Sequence, residues 1–300
     1  MTDESVTGES ETGESPTLCP LCAAPVGAPY ATVAGHDYHA CDACDFIALS
    51  SSTLDRIDRG TAPRSYDDAY WAAELAAARE RAWGPALARV AETLLYCRVP
   101  VRRFLDIGTG AGLLLDALAW HLPAARAVFH GVELFPPPTA ARTLHANYHV
   151  GALRDLAGPF DAGSCIEVIE HLTPRMLDAL VRDLAAISAP GACYVFNTGL
   201  TDYVRHEDPA YLDPVGRGHI CIWSVAAARR VFGPHGFVVH PLPGKTWAFL
   251  AEYGGGPMGE GTVADRIWTA LPENVALLRD PATGSVLHLL GIESARAYRG

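Results

Sequence analysis

The 300-residue chain is poor in basic residues. It has a single lysine, Lys245, and its 23 basic side chains are outnumbered by 34 acidic ones, which gives a formal net charge of −11. The arginines are scattered along the chain. A protein that binds a long phosphate backbone needs clustered lysines and arginines. We therefore expect no nucleic-acid partner.

The chain also lacks the long apolar segments of membrane and exported proteins. No run of about 18 apolar residues occurs, so we expect no membrane partner. The N-terminus has neither the positive nor the apolar part of an export signal, which predicts a cytoplasmic protein with reduced cysteines. Residues 1–16 are instead acidic and rich in Ser, Gly and Thr, and this composition predicts a disordered tail.

Four of the eight cysteines form two C-x2-C pairs, separated by 18 residues, within residues 17–50. Four thiolates at this spacing can surround one Zn²⁺ tetrahedrally, and thiolates suit zinc better than magnesium or calcium. Disulfides or unliganded thiols are the alternatives, and His36 or His39 could replace one thiolate. Because so small a unit has little core, the metal would supply its stability. We predict a structural zinc knuckle or ribbon with the ligands Cys19, Cys22, Cys41 and Cys44.

The rest of the chain divides into a linker, a large α/β region and an extension. Residues 51–65 resemble a linker, and the region 66–253 begins with a predicted helix that is broken near Gly84. Strands and helices then alternate, including a helix predicted over residues 138–147 (PTAARTLHAN). This alternation predicts a doubly wound, mostly parallel sheet covered on both faces. Residues 254–300 would form a cap over the site or a dimer contact.

The stretch DIGTGAG follows the first strand of this region. In a doubly wound sheet, ligands lie beyond the carboxyl ends of the strands, and glycines there let a ligand approach the main chain. Glu133 ends the next strand, where a carboxylate can accept hydrogen bonds from both ribose hydroxyls. Dinucleotide enzymes use a similar pattern, but here Asp106 precedes the first glycine and position 113 is leucine. We predict a nucleoside-binding loop that contains Gly108, Gly110 and Gly112.

The chain resembles the class I S-adenosylmethionine (SAM)-dependent methyltransferases in five segments: FLDIGTGAG, GVEL, FDAGSCIEVIEHL, SAPGACYVFNT and GHICIWSVAAARRVFGPHGF. It is most similar to a group with the ubiquinone-pathway O-methyltransferases and bacterial small-molecule enzymes that carry an N-terminal zinc knuckle. The resemblance runs from about Tyr66 to Leu242, and NTG (197–199) replaces the TPN of many members. It implies a Rossmann-like, seven-stranded sheet, SAM as methyl donor and a small-molecule acceptor.

The resemblance also implies roles for particular positions. The three glycines would line the methionine and ribose parts of SAM, and Glu133 would hold the ribose hydroxyls. Asp106 would orient the glycine loop and meet the ammonium group, directly or through water. Leu153 would lie near the adenine edge. Tyr70 would close over the methionine end, and packing of its helix onto the sheet is the alternative role.

An acid-and-histidine cluster follows the fourth strand. Glu167, Glu170 and His171 are spaced i, i+3 and i+4 and would share one face of a helical turn. With His219 they resemble the Mg²⁺ or Mn²⁺ ligands of the Hen1-type RNA 2′-O-methyltransferases. Such an ion would hold two neighbouring oxygens and lower the pKa of the attacking hydroxyl, and two imidazoles suit Mn²⁺ better than Mg²⁺.

Two other interpretations of this cluster remain open. The motif is common in relatives without a metal, where Glu170 and His171 bond neighbouring loops, and the sequence alone slightly favours this structural role. Alternatively, His171 or His219 is a general base that acts without a metal, since a neutral imidazole has a suitable pKa.

We expect a SAM-dependent methyltransferase that acts on an oxygen of a natural-product or sugar substrate. The alternatives are N- or C-methylation of a small molecule, RNA 2′-O-methylation, and a zinc-knuckle binding module on an inactive fold. The polar insertion 204–219 is where the family builds its acceptor pocket, although its side chains, Tyr211 among them, would individually be solvated loop residues. The extension leaves a homodimer open.

Overall fold

A computed structural model describes residues 17–61, 68–255 and 262–286. The predicted disordered tail, Tyr66 and the last part of the predicted extension lie outside the described residues. The division into domains that the sequence suggests stays a prediction, but the structure shows how each described segment packs.

The cysteine-containing segment forms a small antiparallel sheet of three strands, β1 (Ala31–Val33), β2 (His36–Cys41) and β3 (Phe46–Leu49). A fourth strand from much later in the chain, β9 (Cys221–Ile222), pairs with β3. The buried residues of this sheet belong to the same core as one face of the large sheet. The segment is therefore joined to the α/β region by both hydrogen bonds and apolar packing.

The predicted linker begins with a helix, α1 (Ser51–Asp58). Leu54 and Ile57 are buried, and their i, i+3 spacing gives the helix one apolar face. The linker prediction is therefore wrong for residues 51–58, because this apolar face packs into the core.

The large sheet confirms the predicted doubly wound, mostly parallel architecture with seven strands. Its spatial order is β10-β11-β8-β7-β4-β5-β6, and only β11 runs antiparallel to its neighbours. The order reverses beside β4, which places a crevice at the carboxyl ends of the central strands. The strands are β4 (Phe104–Ile107), β5 (Phe129–Glu133), β6 (Tyr148–Val150), β7 (Phe160–Ile166), β8 (Ser188–Asn197), β10 (Phe237–Pro241) and β11 (Ala248–Tyr253).

Helices cover both faces of this sheet. The further helices are α2 (Asp68–Ala82), α3 (Pro85–Tyr96), α4 (Leu113–His121), α5 (Pro174–Ala186), α6 (Thr201–His206), α7 (Val225–Phe232) and α8 (Pro272–Leu277). Helices α3 and α4 pack on one face, whereas α5, α7 and the small sheet pack on the other. The predicted break near Gly84 is confirmed. Among the described helices, none is both long and apolar enough to cross a bilayer.

The helix predicted over residues 138–147 is absent. Only a short 3₁₀ turn forms there, at Thr139–Ala141. Three consecutive prolines precede this turn and remove backbone donors, which disfavours helix extension. The following residue Thr143 is instead tied to the glycine loop, because its N–H donates to the Ala111 carbonyl at 2.8 Å and its hydroxyl donates to Asp116.

The described part of the extension lies at the amino edge of the large sheet. It contains a 3₁₀ turn (Val263–Thr269), helix α8 and a short hairpin of strands β12 (Arg279–Asp280) and β13 (Gly284–Ser285). Asn274 accepts a hydrogen bond from the Val101 N–H, just before β4, at 2.8 Å. The described extension therefore does not cap the carboxyl edge, and a role as dimer contact stays a prediction.

Candidate functional site

The glycine loop connects β4 to α4 at the carboxyl edge of the large sheet. All three glycines have positive φ, 71° at Gly108, 59° at Gly110 and 76° at Gly112. A Cβ on Gly108 would lie 2.4 Å from Val168 Cγ2, and one on Gly112 would lie 2.2 Å from Thr143 Cγ2. Close packing thus requires glycine at the two outer positions. At Gly110 the nearest atoms, in the Trp71 ring, would be 3.6 Å away, so there the left-handed conformation is what favours glycine.

Glu133, at the end of β5, is bonded directly to this loop. Its Oε2 accepts from the Gly110 N–H at 2.8 Å, and its Oε1 accepts from the Phe135 N–H at 2.8 Å. Burial raises the pKa of Glu133, and these backbone bonds oppose the shift. The structure therefore brings together the two features from which a nucleoside site was predicted, and each carboxylate oxygen has a further lone pair for a ribose hydroxyl.

Asp106 lies in β4 beneath the loop and is almost fully buried. Its Oδ1 accepts from the Ser164 hydroxyl of the neighbouring strand β7 at 2.9 Å. Burial raises the pKa of Asp106 to about 6, although hydrogen bonds favour its charged form. A buried carboxylate is costly unless it has a partner, so this residue is the expected place for a cationic group of a ligand.

The two remaining predicted cofactor residues lie on either side of the loop. Tyr70 in α2 makes an edge contact with Trp71, with ring centroids 4.9 Å apart, and Trp71 contacts Gly110. Leu153 is buried in the core, whereas its neighbours Ala152 and Asp155 line a cavity of about 250 Å³. The roles of Tyr70 at the methionine end and of Leu153 at the adenine edge stay predictions.

The acid-and-histidine cluster lies at the same edge, after β7. Glu170 and His171 belong to a 3₁₀ turn, Ile169–His171, and His219 precedes β9. Glu170 Oε1 lies 3.9 Å from His171 Nε2 and 4.0 Å from His219 Nε2. These three residues offer ligand atoms that all lie within 4.8 Å of one another. Three members of the predicted set are thus brought together, whereas the fourth, Glu167, lies beside them and is not part of this group of ligand atoms.

The hydrogen bonds of the two imidazoles determine which ring nitrogen faces the Glu170 carboxylate. His171 Nδ1 lies 2.9 Å from the Gly218 carbonyl, and His219 Nδ1 lies 2.7 Å from the Tyr211 carbonyl. Since a carbonyl only accepts, both Nδ1 atoms carry a proton and both Nε2 atoms are on the side of Glu170, where a neutral ring presents its lone pair. Burial lowers the pKa of His219 to about 3, which keeps this ring neutral.

Glu170 itself is fully buried, and burial raises its pKa. Among the described residues, its Oε2 has no hydrogen-bond partner. A buried carboxylate with an unpaired oxygen, beside two imidazole nitrogens, is an environment that a positive group would stabilise. The residues present therefore fit a divalent cation with one carboxylate and two nitrogen ligands.

Glu167 has a different environment from the other three residues. Its backbone is left-handed, with φ of 54°, which is rare outside glycine and occurs often at functional sites. Its carboxylate accepts from Asn197 Nδ2 at 2.9 Å and from the Tyr211 hydroxyl at 3.1 Å. Burial and the nearby Glu170 carboxylate raise the pKa of Glu167 to about 8.

Tyr211 is the main functional candidate whose position the sequence did not reveal. The solvated-loop interpretation is wrong for it, because its side chain is buried. Its hydroxyl lies 3.2 Å from Glu170 Oε1 as well as 3.1 Å from Glu167 Oε2, and it accepts from the Gly199 N–H at 3.0 Å. One hydroxyl proton thus serves two carboxylates. Only its place in the polar insertion pointed to the site.

A cavity of about 450 Å³ adjoins Glu167 and Tyr211. Its wall combines aromatic rings with charged groups of both signs, among them Arg89, Tyr203, Glu207, Arg217 and Trp247. This volume suits a small molecule with several polar groups. The cavity is the candidate acceptor pocket.

The four cysteines of the N-terminal segment converge on one point. The Sγ atoms of Cys19 and Cys44 are 3.7 Å apart, and those of Cys22 and Cys41 are 3.5 Å apart, with no disulfide between them. Tetrahedral zinc with Zn–S bonds of about 2.3 Å requires S–S separations of about 3.8 Å. The Leu21 N–H points to Cys19 Sγ at 3.4 Å, as a thiolate favours. The cluster therefore fits Zn²⁺ without either histidine.

Comparison with known proteins agrees with this geometry. The family model described as "Methyltransferase domain" matches residues 75–242, more than half of the chain. A ubiquinone biosynthesis O-methyltransferase of Xanthomonas campestris is 32% identical over 111 residues, and one of Xanthomonas axonopodis is 31% identical over 107 residues. The matched parts are 33% and 32% of this chain and 44% and 42% of those relatives, so the chain matches less than half of their length.

Two solved structures are similar to this chain over part of its length. The SAM-bound amino pentose methyltransferase of calicheamicin biosynthesis from Micromonospora echinaspora is 21% identical, with a TM-score of 0.44 over 63% of this chain and 98% of that chain. Human N-acetylserotonin methyltransferase in complex with SAM is 15% identical, with a TM-score of 0.45 over 56% and 52%. On the family match and the sheet order described above, the chain belongs to the methyltransferase-domain family of class I SAM-dependent methyltransferases.

Proposed function

We propose that the protein transfers a methyl group from SAM to a hydroxyl oxygen of a small molecule, with assistance from a divalent cation. The observation that carries this proposal is the contact between the glycine loop and the acid-and-histidine cluster. Val168 lies between Glu167 and Glu170 in sequence, and its side chain packs against Gly108. The glycine loop, where SAM is expected to bind, therefore lies next to the acid-and-histidine cluster, where the acceptor is expected to react.

SAM would occupy the crevice at the carboxyl ends of β4 and β5. Glu133 would accept hydrogen bonds from the ribose hydroxyls, and Asp106 would face the cationic amino acid part. The main chain at Gly110 would lie close to the ligand, in the left-handed conformation that glycine adopts readily. These roles agree with the burial and raised pKa of both carboxyl groups, since a ligand cation or hydroxyl would favour their charged forms.

Methyl transfer is an in-line displacement in which the acceptor oxygen forms a bond to the methyl carbon. The carbon–sulfur bond breaks, its electron pair stays on sulfur, and the acceptor hydroxyl must lose its proton. Glu167 lines the candidate acceptor pocket, and its pKa of about 8 suits a base that takes this proton near neutral pH. Asn197 and Tyr211 hold its carboxylate in place.

Glu170, His171 and His219 would hold the divalent cation. When bound, such an ion holds neighbouring acceptor oxygens and lowers the pKa of the attacking hydroxyl. The carbonyl groups at Gly218 and Tyr211 keep both Nε2 atoms directed at this point. An oxygen acceptor is favoured over nitrogen or carbon because it gains most from loss of a proton.

The direct test measures methyl transfer from radiolabelled SAM to a panel of phenols, catechols and sugars. The protein is first dialysed against EDTA, and metal analysis of the same sample verifies that about one equivalent of zinc remains. We expect turnover to be lost after dialysis and restored by Mn²⁺ or Mg²⁺. Full activity without added metal would refute metal assistance and leave removal of the acceptor proton to a side-chain base such as Glu167. Failure to bind SAM in calorimetry would refute the enzyme assignment.

A pair of histidine variants tests the ligand assignment. His171→Asn removes the Nε2 ligand, whereas His206→Asn changes an exposed histidine on α6. We expect at least a tenfold loss of Mn²⁺ affinity for the first variant and no change for the second. Equal affinities in both variants would contradict the proposed set.

We also propose that the four-cysteine cluster holds one structural Zn²⁺. All four sulfurs are needed for a closed site, which leaves no open position for chemistry. Metal analysis of the purified protein should give about one zinc per chain. Cys44→Ser should lower both the zinc content and the midpoint of thermal unfolding. Less than half an equivalent of zinc in the unmodified protein would contradict the proposal.

A further inference from the structure

The small sheet is hydrogen-bonded to the segment that carries His219 of the acid-and-histidine cluster. Strand β3 pairs with β9, and the Leu49 N–H donates to the Ile220 carbonyl at 3.0 Å. From the other side, the Ile220 N–H donates to the Glu170 carbonyl at 2.8 Å. The residue next to His219 is thus fixed between the small sheet and the turn that carries Glu170.

Tyr38 makes a second connection, to His219 itself. It is a fully buried residue of β2, and its hydroxyl donates to the His219 carbonyl at 2.5 Å. A carbonyl fixed by a buried tyrosine restricts the backbone from which the imidazole extends. The ring is held separately by the Tyr211 carbonyl. Together these contacts determine where His219 Nε2 lies.

A third connection joins the second cysteine pair to the acceptor side. Asp45 directly follows Cys44, and its carboxylate accepts from Arg205 at 2.7 Å and from the Thr201 hydroxyl at 3.1 Å. Both partners lie on α6, but neither contacts His219 among the described hydrogen bonds. This link therefore also joins the cysteine-containing segment to the α/β region, but it does not involve the candidate metal centre.

We propose that Tyr38 is a positioning residue for His219, so that the cysteine module of residues 17–49 helps set the affinity of the neighbouring centre for a divalent cation. The inference rests on the proposed function, because it assumes that Glu170, His171 and His219 bind the cation. Tyr38 lies three residues before Cys41 in the same strand. The cysteine module thus bonds the His219 backbone directly through this buried hydroxyl, in addition to its backbone bond at Ile220.

The test removes only this hydroxyl. Mn²⁺ binding to Tyr38→Phe is measured by electron paramagnetic resonance of the free ion, and SAM binding by calorimetry. We expect about a tenfold loss of Mn²⁺ affinity, the size of effect typical of a residue that orients a metal ligand. SAM affinity and zinc content should stay unchanged, because the glycine loop and the cysteines do not contact this hydroxyl.

Two control variants separate positioning from general loosening. Tyr30→Phe makes the same chemical change at an exposed site in the same module. Thr201→Val removes the hydroxyl that bonds Asp45 while leaving His219 untouched. Both should bind Mn²⁺ as the unmodified protein does. If Thr201→Val weakens Mn²⁺ as much as Tyr38→Phe, the effect is general and the inference is overturned.

The remaining outcomes distinguish this inference from the proposed function. If the unmodified protein binds Mn²⁺ and Tyr38→Phe binds it equally well, the positioning role of Tyr38 is wrong, whereas the proposed metal centre is supported. If the unmodified protein binds no Mn²⁺, the metal centre is wrong, and the role of Tyr38 falls with it. Loss of zinc from Tyr38→Phe would show that the hydroxyl stabilises the cysteine module instead, which also overturns the inference.

Discussion

Replacing Asp106 with asparagine should stabilise the protein and at the same time impair SAM binding. Asp106 is nearly fully buried, and burial raises its pKa from 3.8 to about 6. A shift of about two units corresponds to about 3 kcal/mol at roughly 1.4 kcal/mol per unit. The charged carboxylate therefore costs the folded protein up to about 3 kcal/mol at neutral pH, an upper value that structural relaxation reduces.

The sign of this effect depends on pH in a defined way. The folded pKa lies above the unfolded one, so the contribution of Asp106 to stability is fully present below pH 3.8 and is lost as the pH rises through about 6. Asp106→Asn does not titrate. Its advantage over the unmodified protein should thus be near zero at pH 4, grow up to pH 6 and stay constant above.

The assay combines thermal unfolding at pH 5 and pH 8 with calorimetry of SAM binding. We expect Asp106→Asn to unfold at a higher temperature at pH 8 and to bind SAM at least tenfold more weakly. In the unmodified protein, SAM affinity should fall as the pH drops below about 6, because a cationic ligand group favours the charged carboxylate. Asp55→Asn, a change at an exposed position on α1, is the control and should alter neither quantity.

Lower stability of Asp106→Asn at pH 8 would refute this reasoning, since it would mean that the charged form is stabilised by its surroundings. Unchanged SAM affinity would separately remove Asp106 from the donor site. The two readouts fail independently, so each part of the argument is tested.

Three further predictions concern stability and binding. Glu133→Gln should lower SAM affinity at least tenfold in calorimetry, because the amide NH₂ would face the N–H of either Gly110 or Phe135, so that two donors oppose each other. Unchanged affinity would contradict this prediction. Asn274→Ala should lower the free energy of unfolding by about 2–4 kcal/mol in urea, because it removes the side-chain hydrogen bonds to the Val101 N–H and to the Cys97 and Val99 carbonyls. It should not change SAM affinity. Arg266→Met should lower the free energy of unfolding by about 3 kcal/mol, because the buried Glu252 loses its guanidinium partner and keeps only His240, whose Nε2 lies 3.4 Å away. Adding Glu252→Gln should recover part of the loss, and no recovery would argue against the ion pair.

Several features of the fold and the site could be predicted from short stretches of sequence. The strand, glycine loop and helix around Gly110 are encoded in one continuous segment, and the four-cysteine cluster follows from two C-x2-C pairs. The break between α2 and α3 follows from Gly84 and the adjacent proline. In these places the decisive interactions are local, so periodicity, turn chemistry and ligand spacing are sufficient evidence.

Local propensity was misleading where tertiary packing decided the outcome. Residues 138–147 have the composition of a helix, yet Thr143 is held by the glycine loop after three prolines. The segment 51–58 looks like a linker, yet its two apolar side chains fill the core as α1. Only a partner elsewhere in the fold distinguishes these outcomes, because propensities differ by about 1 kcal/mol or less per residue for residues other than proline.

The sequence by itself determined the family, the doubly wound sheet and the residue types at its carboxyl edge. Only the tertiary structure decided that Tyr211 joins two carboxylates and that Tyr38 bonds His219 across 181 positions of sequence. It also decided that the described extension packs at the opposite edge. These contacts depend on the pairing of β3 with β9 and on the order of strands in the sheet. Such long-range pairing leaves no periodic or local signal in the chain.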